Sequence, residues 1–253
     1  MKKLFALLLA VLMVVPCVSA FADGDKLTVA TGPDFPPFEN LENGEVVGIE
    51  VDLMNLICEK LGMELELVQM DFDSVLPGVQ AGKFDVGMSG ISVTEQRQKN
   101  ALFTDPYCLA AQAIVVTEGS AITGKADLEG KKVSVQTGTT AESFCMAENY
   151  KVSSFAANND AEMALVKGKV DAWVIDDLTA ADMVSAYNEE HDDKLVILSE
   201  AMTTEPYAFA FAKDNTELVE QINAVLQELL ADGTVAEIFE KYEAPYTAPD
   251  AAE

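Results

Sequence analysis

Among its 253 residues the chain has one arginine, Arg97, one histidine, His191, and one tryptophan, Trp173. Basic residues are scarce altogether: 16 Lys+Arg face 43 Asp+Glu, a net charge of −27. A nucleic-acid binder needs a basic face to displace phosphate counterions, and this chain cannot build one. The same shortage excludes adsorption to anionic lipid through a polybasic segment. One histidine argues against histidine-based metal sites and Ser-His-Asp triads, and no cysteines stand at metal-ligand spacing. No metal, cofactor or catalytic residue is therefore expected. What the chain does have is apolar content, 49 % with 8 % aromatics, which excludes general disorder. Its length suits one large or two small domains.

The first residues set the compartment. Met1-Lys2-Lys3 precede an apolar run from Leu4 to Val15, then Pro16 and Cys17-Val18-Ser19-Ala20-Phe21-Ala22. A positive start, a short apolar core and small residues at alternate positions predict a secretory signal peptide over residues 1–22. The run is shorter than the roughly 20 residues that cross a bilayer as a helix. Cleavage is expected after Ala22, with Ala20 as the second position. Val14-Val15-Pro16 lacks the small residue that a lipoprotein signal places before its cysteine, so anchoring through Cys17 is not expected. The mature chain keeps 14 bases and 43 acids, a net −29, and is predicted to be periplasmic or otherwise extracytoplasmic. It retains Cys58, Cys108 and Cys145, an odd number that leaves at least one thiol free. Whether two of them pair stays open.

Beyond the signal, β-branched runs alternate with helical patterns. Leu27–Thr31, Glu64–Gln69 and Phe84–Met88 read as strands. Val51, Met54, Cys58 and Leu61 mark a helix stopped at Gly62, and Ser74–Gln80 reads as another. A second series follows, with strands Lys132–Val135, Val152–Phe155 and Asp171–Ile175 and helices Ala141–Glu148 and Ala161–Lys167. Leu218, Ile222, Val225 and Leu229 mark a long amphipathic helix and Val235–Tyr242 a shorter one. The tail from Ala244 reads as a loose end. Such alternation predicts an α/β class built on largely parallel sheets.

Val79-Gln80-Ala81-Gly82-Lys83-Phe84-Asp85 is echoed by Val166-Lys167-Gly168-Lys169-Val170-Asp171. Each is a helix end, a glycine that relieves the left-handed cap, a lysine at the negative end of the dipole, and a strand opening with Asp. Such corners are common in α/β proteins, but the surrounding alternation favours two lobes on one plan. Ligands of open α/β sheets bind beyond the carboxyl ends of the strands. Beyond these two strands lie Ser89-Gly90-Ile91-Ser92 and Asp176-Asp177. Facing lobes would then place hydroxyls and backbone groups opposite carboxylates, a setting that suits a small zwitterion.

A longer ordered set is more specific. It comprises Asp34-Phe35-Pro36-Pro37-Phe38-Glu39, Gly48-Ile49-Glu50-Val51-Asp52-Leu53, Asp71–Pro77, Gly90-Ile91-Ser92-Val93-Thr94-Glu95-Gln96-Arg97, Phe103–Tyr107, Val135–Thr140 and the Asp171–Asp176 strand. In that order, over nearly the whole mature chain, these segments resemble the amino-acid-binding family of bacterial extracytoplasmic solute-binding proteins. The resemblance implies a two-lobed Venus-flytrap fold, with residues 23–111 and 206–253 in lobe 1, residues 112–205 in lobe 2, and two hinge crossings. It also implies a monomer that closes on a free L-amino acid and docks on the permease of an ABC transporter. Arg97 aligns with the arginine that grips the ligand carboxylate, a task for a bidentate guanidinium that lysine cannot copy. Thr94 reads as the N-cap of its short helix. Ser92 and the Gly90 backbone align with lobe 1 contacts, Thr140 with the lobe 2 contact to the same carboxylate, and Asp176 with the receptor of the ammonium. Phe35 and Phe72 align with aromatic walls and Gln136 with a lobe 2 wall. Gly32 departs from relatives that carry Asp, Asn or Glu there, and Asp34 stands close enough to compensate in part. A polar or basic ligand, arginine included, is favoured, with aliphatic ligands open.

Two other classes compete. Dehydratases acting on prephenate- or arogenate-like acids resemble the same scaffold. They need a proton donor in the cleft, for which Asp176, Asp177 and Asp34 are the candidates. A ligand-presenting partner of a membrane sensor is the other alternative.

Overall fold

In the computed structural model of the chain, residues 26–249 are described; the expected signal peptide and Cys17 lie outside them. The described part opens with β1 (Lys26–Thr31) and a meander of β2 (Asp34–Phe35), β3 (Glu39–Glu42) and β4 (Glu45–Val47). Then come α1 (Ile49–Leu61), β5 (Glu64–Gln69), α2 (Phe72–Gln80), β6 (Val86–Gly87), α3 (Glu95–Gln98) and β7 (Ala101–Phe103). β8 (Cys108–Ala110) leads into the second lobe. That lobe holds β9 (Gln112–Thr117), β10 (Lys132–Gln136), α4 (Thr140–Ala147), β11 (Lys151–Phe155), α5 (Asn158–Val166), β12 (Ala172–Asp176), α6 (Asp177–Glu190) and β13 (Leu195–Ile197). β14 (Glu205–Tyr207) returns the chain to β15 (Ala210–Ala212), α7 (Thr216–Ala231) and α8 (Thr234–Lys241).

The two main sheets share one plan. The first runs β5-β1-β6-β15-β7 and the second β11-β10-β12-β9-β13. In each, three parallel strands from the β–α alternation are extended by one strand antiparallel to them, β15 or β9, and then by an outer strand, β7 or β13, antiparallel to that one. The parallel triplets are the part that hydrophobic alternation specifies. The added strands come from the crossings, where β8 and β14 pair antiparallel as the hinge, Tyr207 opposite Cys108 and Glu205 opposite Ala110.

The echoed segments occupy equivalent corners. Gly82 and Gly168 sit at φ 67° and 64°, a conformation that favours glycine. The following lysine N–H groups donate to Gly78 O and Ala164 O. Each aspartate then clamps the first strand of its lobe's parallel triplet: the Thr28 N–H donates to Asp85 Oδ2 and the Lys132 N–H to Asp171 Oδ2, both at 2.8 Å. Such charge-assisted bonds contribute roughly 1.5–3 kcal/mol each, which explains why Asp recurs where an apolar strand begins.

The helical stripe of α1 buries Val51, Leu53, Met54, Ile57 and Cys58 against α7 and α8. In lobe 2, Trp173 is fully buried on one face of the sheet and Val133, Val135 and Val174 on the other. Cys58, Cys108 and Cys145 are all free and buried. Burial pushes their thiols up, Cys58 to about 11 and Cys145 to about 12, so none is a ready nucleophile.

Three expectations are corrected. The third strand of lobe 1 is only Val86–Gly87, although the Asp85 and Met88 N–H groups on either side of it still donate to Thr28 O and Ala30 O of β1. Helix α5 begins at Asn158 rather than Ala161, since its first N–H finds a partner described below. The tail is docked as far as it is described. The Leu109 N–H of the hinge donates to Thr247 O at 3.0 Å, and the Tyr246 ring packs 4.9 Å from that of Phe239.

Candidate functional site

Between the two sheets lies a cleft lined by Phe35, Phe72, Ser89, Gly90, Ser92 and Arg97 from lobe 1. Gln136, Thr139, Thr140, Ala141, Asn158, Val174, Ile175 and Asp176 line it from lobe 2. The lining surrounds about 380 Å³. The lobes already touch, since Arg97 of lobe 1 donates to Gly138 O of lobe 2. Eight of the nine residues expected from the sequence meet here; Asp34 stands behind the wall.

Arg97 is placed by a short helix with its own cap, since Thr94 Oγ1 accepts the Arg97 N–H at 3.1 Å. The guanidinium donates to Ser92 O at 2.9 Å and, across the cleft, to Gly138 O at 3.1 Å. Its carbon lies 5.9 Å from the centre of the Phe72 ring. Among the described residues no carboxylate lies within 4 Å of it. Burial lowers its pKa, while Glu205 and Asp176 pull it the other way. An arginine keeps its charge regardless, so the cleft holds a half-buried cation bonded only to neutral carbonyls.

Facing it is the N-terminus of α4. Thr139 caps that helix by accepting the Glu142 N–H at 3.1 Å, which leaves Thr140 and Ala141 at the cavity wall. The first N–H groups of a helix lack partners within it and favour an anion. Thr140 Oγ1 lies 3.5 Å from Ser92 Oγ and accepts from Gln112 Nε2 at 2.9 Å. One guanidinium and one helix terminus therefore converge on the same region from opposite lobes.

Gly90 adopts φ 51°, and a Cβ there would come within 2.6 Å of the Phe35 ring. Its N–H is committed to Glu50 Oε2 at 3.1 Å, so only its carbonyl can serve a ligand. Glu50 also accepts from Tyr107 Oη at 2.5 Å, and Ser89 Oγ donates to Glu39 Oε1 at 2.9 Å. Burial drives both glutamates upward, Glu39 furthest, with the like charge of Glu50 beside it adding to the shift. This buried pair underpins the Gly90 turn.

Asp176 ends β12 and occupies the N-cap position of α6 without capping through its side chain. Asp177 does that local work, its Oδ1 accepting from the N–H groups of Leu178 and Ala111. The Asp176 carboxylate is left facing the cleft, where it accepts from Tyr207 Oη. Burial, with Glu205 adding like charge, pushes it up to about 8. It is poised to ionise against a cation. Phe35 and Phe72 supply the ring faces and Gln136 closes the far wall. At Gly32 a Cβ would lie 3.2 Å from Met70 O and Phe72 N, so a larger side chain there would crowd the neighbouring loop.

The sequence reading missed Asn158, Tyr207, Glu205 and Gln112. Asn158 carried a signal, since Asn158-Asn159-Asp160 is typical of a helix start. Tyr207 and Glu205 carried none, because their role depends on the pairing of the two hinge strands.

A model of the bacterial extracellular solute-binding proteins, family 3, matches residues 27–245. The chain belongs to this family. The histidine-binding periplasmic protein of Salmonella typhimurium is 31 % identical over 252 residues, covering 96 % of this chain and 97 % of that one. An ancestral arginine-binding protein solved with arginine is 40 % identical, with a TM-score of 0.80 over 87 % of this chain and 98 % of that one. An ancestral amino-acid-binding protein described as a precursor of cyclohexadienyl dehydratase is 34 % identical, with a TM-score of 0.78 over 86 % of this chain and 95 % of that one. Amino-acid binding is thus the common theme of the relatives of this family 3 chain. No helix among the described residues is long and apolar enough to cross a membrane.

Proposed function

We propose that this chain binds a free L-amino acid in the interlobe cleft and delivers it to the permease of an ABC transporter. It acts as a monomer outside the cytoplasmic membrane once residues 1–22 are removed, with residues 112–205 as the lobe that swings against the rest. One observation carries the reading. Arg97 with the α4 terminus offers a site for a carboxylate, and Asp176 in the same cleft offers one for an ammonium. A zwitterion satisfies both at once. Ser92, Thr140 and the Gly90 carbonyl complete the polar contacts, and Phe35, Phe72 and Gln136 receive the side chain.

Arginine is the first choice. Two aromatic faces stabilise a planar cation, by about 0.5–2 kcal/mol each depending on exposure, and two of the named relatives are a histidine-binding and an arginine-binding protein. Gly32 offers the cation no carboxylate, so neutral polar ligands compete. Calorimetric titration of residues 23–253 with the common amino acids tests this directly. Micromolar binding of arginine supports the reading, and no amino acid binding below about a millimolar refutes it.

One observation favours a second reading, a dehydratase acting on a prephenate- or arogenate-like acid. Asp176, pushed up to about 8, is a protonated carboxyl in the cleft near neutral pH, as a proton donor must be. Turnover of either acid by the purified protein would establish it.

A further inference from the structure

Helix α5 starts without a cap of its own. The N-cap position is Ala157, which has no oxygen to offer, whereas α4 in the same lobe is capped by Thr139. The partner of the first α5 N–H comes from the other lobe: Asp34 Oδ2 accepts the Asn158 N–H at 2.8 Å. Two more donor groups tie the same point. Asn158 Nδ2 donates to Asp34 O and to Gln136 Oε1, both at 3.2 Å. Gln136 Nε2 donates to Asp34 Oδ1 and Oδ2, at 3.2 and 3.0 Å, and to Ala156 O at 3.1 Å. Asn158 is 1 % exposed. Asp34 itself is fixed within lobe 1 by pairing of β2 with β3 opposite Asn40, and it does not line the cavity.

We infer that Asp34 is a positioning residue that latches the lobes, an anion from lobe 1 that completes the first turn of a lobe 2 helix only when the cleft is shut. The inference rests on the amino-acid-binding reading and assigns Asp34 a role other than contact with the ligand side chain. An anion is favoured at a helix N-terminus, where the backbone N–H groups point outward. Separating the lobes by a few ångströms removes the carboxylate from Asn158 and Gln136 together and returns α5 to an uncapped start. Closure therefore gains stability from the Asp34 carboxylate, which lies outside the cavity lining. Asp34, expected to serve a cationic side chain in place of a residue at Gly32, has both its oxygens engaged by protein donors instead.

Two substitutions at one position isolate the bond. Asn158→Ala removes the side chain and keeps the N–H. Asn158→Pro removes the N–H as well, at a first helical position that accepts proline, after Ala157 at φ −114° and ψ 146°, which precedes proline without strain. With L-arginine as the probe in calorimetry on residues 23–253, the Pro variant should bind about tenfold more weakly than the Ala variant, the scale of one charged hydrogen bond. In an Asp34→Ala background the two should bind alike. Equal binding in the wild-type background overturns the latch, as does a gap that survives Asp34→Ala. A ligand-free readout separates this from the binding reading. Exchange of the Asn158 amide should quicken at least tenfold in Asp34→Ala, and an unchanged rate overturns the latch even if arginine binds. Wild-type protein that ignores every amino acid counts against the binding reading, and the exchange rate alone then decides the latch.

Discussion

The two lobes share a five-strand plan and an Asp–Gly corner, yet they present different chemistry to the cleft. Lobe 1 contributes the cation, Arg97, on a four-residue helix, together with the Gly90 turn and the aromatic walls. Lobe 2 contributes the α4 terminus and a buried carboxyl, Asp176, at the end of its third parallel strand. The corresponding place beyond β6 in lobe 1 holds Ser89 and Gly90, so the duplicated framework does not duplicate the site. Each lobe alone offers part of a zwitterion receptor, and both parts come together only across the cleft. Closure and recognition are then one event.

The comparison can be broken first at Arg97. Arg97→Lys should cost at least about a hundredfold in amino-acid affinity, since two charged hydrogen bonds at roughly 1.5–3 kcal/mol each are at stake and 1.4 kcal/mol is tenfold. Ligand-free unfolding should move little, because the guanidinium bonds only two carbonyls. Calorimetry and thermal scans read both, and unchanged affinity would remove Arg97 from the site.

The lobe 2 counterpart is Asp176→Asn, expected to cost about ten- to a hundredfold on the same scale, because an amide still accepts one hydrogen bond without the charge. It carries a sharper signature. With Asp176 at about 8, binding an ammonium near pH 6.5 must release a proton. Titrations in buffers of different ionisation enthalpy should show that release in wild type and not in Asp176→Asn. Affinity in wild type should rise with pH up to about 8.

A third effect concerns stability without ligand. Asp176, Glu39, Glu50 and Glu162 have pKa values raised by burial, Glu162 to about 7. The folded state then binds more protons than the unfolded chain above the ordinary carboxylate range. Stability is full below that range and declines as pH rises through about 8. The unfolding temperature of the ligand-free protein should therefore fall from pH 5 to pH 8, and a rise across that interval would contradict these assignments.

The smallest effects compare the caps. Thr94→Ala and Thr139→Ala should each destabilise by about 1 kcal/mol. Thr94 accepts the N–H of Arg97 itself, so its loss should also weaken binding several-fold through misplacement of the guanidinium, and binding that stays intact would separate the cap from the grip.

Much of this arrangement was legible in the chain. Alternating β and α patterns specify the parallel triplets because two crossovers in each lobe leave apolar strands and amphipathic helices at fixed spacing. The Val79–Asp85 echo disclosed the repeated plan, and Arg97 stood out through its solitude and its motif. The antiparallel strands and the hinge were opaque, since β8, β14 and β15 have three residues each and too few positions for a period. Tyr207 and Glu205 enter the site through that hinge and were missed with it. Asp34 was noticed for its charge and assigned to the ligand; its bond to Asn158 joins residues 124 apart, which no local pattern can show. The acid excess remains a solvated surface with little bearing on specificity.

The most direct test of the zwitterion receptor is calorimetry of residues 23–253 against the common amino acids at pH 6.5, in two buffers. The expected result is arginine binding at micromolar affinity or tighter, with close to one proton released per ligand. Absence of binding by any amino acid below about a millimolar would contradict the account, and binding without proton release would contradict the role given to Asp176.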